Sequence, residues 1–157
     1  MYRTFLILIA AYLVLAGGAV AIMLANGVFA TRSDSADPAH IARGETVYME
    51  HCAACHGGDL EGQPGWQNQR ADGTYPAPPQ DHSGHTWEHS DAQLFEYIRD
   101  GGARFERRAF KSAMPGLGEA LDSAEIWAVI AFVKSRWPKE FRAKQARANF
   151  VGGLHNH

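Results

Sequence analysis

The chain has 157 residues, enough for one domain with an appendage. It is 46% hydrophobic and 20% charged, which excludes a disordered tail. Its 15 Lys and Arg against 17 Asp and Glu leave a net charge of −2, so it lacks the basic footprint of a nucleic-acid binder. Its two cysteines, Cys52 and Cys55, exclude a disulfide-dense scaffold.

The apolar content is concentrated at the start. Phe5 to Ala30 runs for 26 residues without a charge. As a helix it reaches about 39 Å, enough to cross a bilayer core of roughly 30 Å. The competing reading is a cleaved secretory signal, with Arg3 as its basic end and Val28-Phe29-Ala30 as its cleavage site. The stretch exceeds the about 7–15 apolar residues usual for such a signal, which favours an uncleaved anchor. Either way the rest of the chain is sent across a membrane, and Arg3 weakly marks the inner side. The expected division is an anchor over residues 1–30, a polar linker over 31–36, a cofactor domain over 37–140 and a basic tail over 141–157.

Asp37-Pro38 predicts a helix start, with Asp37 as the cap and Pro38 in the first turn. Ile41, Gly44, Tyr48 and Cys52 then share one face, and Gly57-Gly58 closes the segment. The next stretch, to about His89, is rich in glycine and proline and carries no helical pattern. A loop that long in a small domain makes sense if it wraps a large apolar cofactor. Ser90 and Gln93 predict a capping box on a second helix that ends at Gly101-Gly102, with Leu94, Tyr97 and Ile98 as its buried face. Asp122 and Glu125 start a third helix, expected to run to Trp137 with an apolar stripe of Ile126, Val129, Ile130 and Val133. No strand pattern is visible, so the class is all-α. From Lys134 to Arg147 the chain is basic and helix-favouring; extension of the last helix and binding to anionic headgroups are alternatives, and the preferred reading is an exposed, partly frayed end.

The chemistry sits in Cys52-Ala53-Ala54-Cys55-His56. On a helix, Cys52 and Cys55 share a face, so both sulfurs can form thioethers to one haem while His56 faces the iron. This spacing is the signature of c-type haem attachment, and an export segment upstream agrees with it. A disulfide at this spacing is strained. A thiol redox pair lacks its βαβ context. A zinc site recruiting His82, His85 and His89 would need a gap of 27 positions from Cys55, longer than finger spacing.

Elimination points to Met114 as the second axial ligand. Met1 is the initiator, Met23 lies in the apolar span, and Met49 shares a helix with the motif. Met114 lies 58 residues after His56, before Pro115-Gly116. A thioether opposite His favours reduced iron and raises the potential. His82, His85 and His89 are the rivals, otherwise read as solvated loop residues.

The order of these features resembles class I cytochrome c. The resemblance rests on Gly44, Tyr48 and Cys52 spaced by four, then CAACH, then a proline-containing loop, then Met114-Pro115, then a terminal helix. It covers about Asp37 to Trp137. The segments GHTWEHSDAQLFEYI and AEIWAVIAFVKSRWP look like bacterial membrane-anchored or periplasmic monohaem members. The resemblance implies one covalent haem c. It implies a crossing of first and last helices at Gly44 and Tyr48 against Val129 and Phe132. It also implies a proline carbonyl accepting from His56, with Pro78 and Pro79 both candidates.

With both axial positions filled, the iron passes single electrons and offers no substrate site. The expected function is therefore a membrane-tethered carrier on the outer, periplasmic side of a bacterial inner membrane. Expected partners are the lipid bilayer and membrane redox complexes such as a quinol–cytochrome c reductase and a terminal oxidase or photosynthetic reaction centre. The alternatives are a fixed haem subunit of a larger oxidoreductase, and a peroxidase or gas sensor with an open iron site. From Glu45 to Asp100 ten acidic residues face only Arg70 and Arg99, whereas the remainder from Arg104 is mainly basic. That polarity either steers docking or marks two solvated faces.

Overall fold

Asp37 and Pro38 start the first long helix as their chemistry requires. The Asp37 carboxylate accepts from the Ala39 and His40 N–H groups, and Pro38 sits in the turn where a missing donor costs nothing. This helix, α1, covers Pro38–His51; after Cys52 the single turn α2, Ala53–His56, carries the rest of the motif and stops at Gly57. The computed structural model describes residues 37–105 and 111–154, with Ile9, Tyr12 and residues 16–18, which are helical. The expected span Phe5–Ala30 thus lies almost wholly outside the described residues, and the linker 31–36 lies entirely outside them. Among the described residues no helix is long and apolar enough to cross a membrane. The chain divides into one unit, Met1–Thr31, and a second, Arg32–His157, which holds the elements below.

The segment after Gly57 has no long helix, in line with its composition; its one regular piece is a 3-10 turn at Thr86–Glu88. It is pinned by backbone bonds instead, Gln63 N–H to Ala77 O at 2.9 Å and Gln80 N–H to Leu60 O at 2.8 Å. Helix α3, Asp91–Asp100, opens with the Ser90–Gln93 capping box. Helix α4, Ser123–Ser135, opens with the matching box of Asp122 and Glu125. It ends before Trp137, the expected limit, because the backbone tightens there: Trp137 N–H bonds to Lys134 O at 3.2 Å. Pro138 then starts α5, Lys139–Leu154, its carbonyl accepting from Phe141 and Arg142. Among the described residues the sheet-like pairing is a single parallel bridge between Thr74 and Lys111. The class is all-α.

The core forms where α1 crosses α4. Both helices bring apolar faces, Val47 and Tyr48 from one and Ile126, Val129, Ile130, Phe132 and Val133 from the other. Gly44 makes the close approach possible. A Cβ there would overlap the Ala128 carbonyl and sit 2.9 Å from Phe132 Cβ. One turn on, the Tyr48 and Phe132 rings lie 5.3 Å apart. The expected crossing at Gly44 and Tyr48 is present, with Ala128 rather than Val129 against the glycine.

The C-terminal segment is not the exposed, frayed end that its composition predicts. Helix α5 packs back on the 3-10 turn and on α3. Gln145 on its inner side is only 1% exposed. The reason is a polar clamp. Lys134 donates to both Asp91 oxygens, at 2.9 and 2.8 Å, and Gln145 Nε2 donates to the same carboxylate. Asn149 Oδ1 accepts from the Asp91 N–H. Phe141 adds edge contact with the Trp87 ring, at 5.1 Å. The clamp also revises the charge reading. Lys134–Asp91 and Arg136–Glu45 join the acidic half of the chain to its basic half, so part of the polarity seen along the sequence is neutralised by pairing.

Two outcomes follow. Gly44→Ala destabilises the holoprotein by about 1–3 kcal/mol, the range for overpacking a tight contact; denaturant unfolding checks it, and an unchanged midpoint contradicts the crossing. Asp91→Ala leaves the Lys134 ammonium buried without this carboxylate and costs about 3 kcal/mol. Limited proteolysis then cuts within α5 sooner than in the parent.

Candidate functional site

A cavity of about 680 Å³ lies beside the α1–α4 crossing. That falls within the roughly 300–1,000 Å³ of cofactor sites. Its walls come from α1, α2, the 63–89 loop, α3, the 111–117 segment and α4. The lining is mainly apolar, as the inner face of a large planar cofactor requires. The long loop finds its reason here, since its side chains pack around that space.

Cys52 and Cys55 both line the cavity, and neither is in a disulfide. Burial, reinforced by Cys55, pushes the Cys52 thiol up to about 11. A thiol redox pair needs the opposite, a stabilised thiolate. Among the described residues no group of three or more His, Cys, Asp or Glu side chains is placed to hold a metal ion, so the zinc alternative has no site there.

His56 ends α2, lines the same cavity and is 8% exposed. Its Nδ1–H donates to the Pro78 carbonyl at 2.9 Å. A carbonyl only accepts, so this bond places the proton on Nδ1 and leaves the Nε2 lone pair free. Burial lowers the imidazole's affinity for a second proton, against the raising effect of Pro78, and the ring is held neutral. Pro78 and not Pro79 has this bond: Pro79 is absent from the cavity lining, and its carbonyl faces Thr86 Oγ1 at 3.5 Å. Tyr48 supports the same turn by donating its hydroxyl to the Gly57 carbonyl at 2.8 Å, and burial holds that phenol protonated.

Met114 reaches the cavity from another part of the chain. The 114–118 segment runs along the end of α3, whose last carbonyls would otherwise lack partners. Leu117 N–H donates to Ile98 O at 2.9 Å and Gly118 N–H to Arg99 O at 3.0 Å. Gly102 N–H donates to the Met114 carbonyl at 3.0 Å. Gly101, at φ +80, ends α3, and a Cβ there would lie 2.6 Å from Gly116 N. Met49 is 54% exposed and outside the cavity lining, whereas Met1 and Met23 fall outside the described residues.

His82 and His85 are exposed, in line with their reading as solvated loop residues, whereas His89 is half-buried. His85 and His89 line the cavity. His85 stacks on Trp66 at 5.7 Å and meets His89 edge-on at 5.6 Å; His89 in turn meets Tyr97 at 5.7 Å. Burial first, and His85 second, lower the proton affinity of His89. His82 lies elsewhere, against Phe141. The aromatic row escapes sequence reasoning because Trp66, His85 and His89 come from a mostly irregular segment, where spacing does not report facing, and only Tyr97 lies on a long helix. Gln80 and Thr86 escape it too: Gln80 Nε2 lies 3.0 Å from His56 Nδ1, and its Oε1 lies 2.9 Å from Thr86 Oγ1.

Comparison with known proteins agrees with this geometry. The family model described as Cytochrome c matches residues 41–137. The chain is 31% identical over 106 residues to the Cbb3-type cytochrome c oxidase subunit CcoP of Azospirillum sp. (strain B510), covering 68% of this chain and 32% of that protein. It is 36% identical over 101 residues to the thiosulfate dehydrogenase of Stutzerimonas stutzeri (strain A1501), covering 60% of this chain and 27% of that one. The matched region thus spans about a third of the length of these curated relatives, or less. No solved structure matches. Residues 41–137 include the Cys52–His56 motif, the loop, the Met114 segment and both core helices, and the chain belongs to the cytochrome c family, whose cofactor is covalently bound haem c.

Proposed function

We propose that this chain is a membrane-tethered monohaem carrier that passes single electrons between membrane redox complexes on the outer face of a bacterial inner membrane. Cys52 and Cys55 would hold the haem through thioethers, and His56 and Met114 would ligate its iron. The observation that carries this reading is the shared cavity: the attachment turn, the oriented imidazole and the Met114 segment all line it. Bound haem supplies reversible Fe(II)/Fe(III) exchange.

The residues do the rest. Pro78 orients His56 and makes it a better donor. The α3 end holds the Met114 backbone. Apolar residues of α4, Val129, Ile130 and Val133, wall off the interior side. With both His56 and Met114 on the iron no place would be left for substrate, which would separate a carrier from a peroxidase or gas sensor. The tether rests on the charge-free run Phe5–Ala30. Membrane fractionation and intact mass of the purified protein test it, with retention of Met1 expected and loss of the first thirty residues overturning it.

Met114→Ala opens one axial position. The thioether-to-iron band at the red end of the oxidised spectrum disappears, carbon monoxide binds the reduced protein rapidly, and the midpoint potential falls. A band unchanged in this variant assigns the ligand to another methionine, and a parent protein without the band assigns it to a nitrogen donor, with His85 and His89 as rivals on the cavity wall. In a Cys52→Ser/Cys55→Ser variant the haem mass gain is absent. That protein also loses most of its cooperative unfolding transition, because the core lacks its largest component.

A second reading has its own observation. The similarity to an oxidase subunit favours a fixed haem domain within a terminal oxidase. Solubilisation in mild detergent separates the two: a fixed subunit co-purifies with its complex in constant ratio, whereas a carrier comes away alone.

A further inference from the structure

Gln80 lies behind His56 and belongs to no motif. All its polar groups are engaged. Its N–H donates to Leu60 O at 2.8 Å, and its carbonyl accepts from the Trp137 indole at 2.7 Å. Its side-chain amide bridges His56 Nδ1 and Thr86 Oγ1, at 3.0 and 2.9 Å. Trp137 is buried at 2% exposure and Thr86 at 8%, so the Gln80 backbone carbonyl and its side-chain amide each have a buried partner.

Counting protons decides which way the amide faces. Pro78 accepts from His56, so Nδ1 carries a proton. A second donor cannot face that proton. The oxygen and nitrogen of a glutamine amide have nearly the same shape, and the network assigns them. The arrangement that satisfies every group turns the Gln80 oxygen toward Nδ1–H and its NH2 toward Thr86. The Thr86 hydroxyl is then free to donate to the Pro79 carbonyl, 3.5 Å away. His56 thus has two acceptors sharing one proton.

The geometry points to Gln80 as a positioning residue that, held by Thr86, sets how strongly His56 donates to the iron and so tunes the reduction potential. The inference rests on His56 being an axial ligand. More acceptor strength at Nδ1 makes the imidazole more electron-rich, stabilises Fe(III) and lowers the potential.

The test is spectroelectrochemical titration of the full-length holoprotein and three variants. Q80L removes the acceptor and raises the midpoint. Q80E puts a stronger, charged acceptor there and lowers it. T86V frees the amide and moves the midpoint the same way as Q80L, by less. The oxidised spectrum stays six-coordinate and low-spin throughout. Unmoved midpoints overturn the inference. So do shifts of Q80L and Q80E in one direction, the signature of a merely loosened loop. If Q80L does not accumulate as holoprotein, opposite signs for Q80E and T86V support the inference and equal signs overturn it. A parent protein that is not six-coordinate instead overturns the axial reading before any variant is compared.

Discussion

The structure depends on one constraint: a small helical domain is assembled around a space its own side chains do not fill. The cavity of about 680 Å³ in the second unit is lined by residues from α1 to α4 and from the loop between α2 and α3, so haem c would share its walls with the core residues Tyr48 and Val129. The long irregular loop after Gly57 follows from this. It has little apolar periodicity, and Trp66, Tyr75, Pro76 and Pro78 from it line the cavity.

Around that space the chain supplies two kinds of support. The α1–α4 crossing is apolar and tight, with Gly44 removing the one side chain that would hold the helices apart. The outer layer is polar. Asp91, at the start of α3, receives Lys134 from α4 and Gln145 from α5, and so ties three helices through one carboxylate. Such a clamp adds little net stability compared with apolar packing, but it is sensitive to loss of a partner. It gives α5 a defined seat.

The same economy holds at the proximal histidine. One imidazole proton, on Nδ1, determines both the free lone pair and the basicity of the ligand. Pro78 supplies the acceptor, and Gln80, Thr86 and Trp137 form the surrounding frame. On the proposed reading, the strength of His56 as a ligand would be set from a largely irregular loop whose polar atoms are paired. Redox tuning and loop folding become one problem.

Much of the molecule was legible from residue order. Asp37-Pro38, Ser90 with Gln93 and Asp122 with Glu125 marked three helix starts because capping is local chemistry acting over three residues. Cys52, Cys55 and His56 announced the cofactor because attachment needs that spacing on one turn. What depended on distant partners was not legible. The choice of Pro78 over Pro79, the aromatic row from Trp66 to Tyr97, the role of Gln80 and the docking of α5 each join segments far apart in the chain. A residue's neighbours three or four positions away are set by helix geometry, whereas its neighbours across the core exist only after the backbone has closed around the cofactor space.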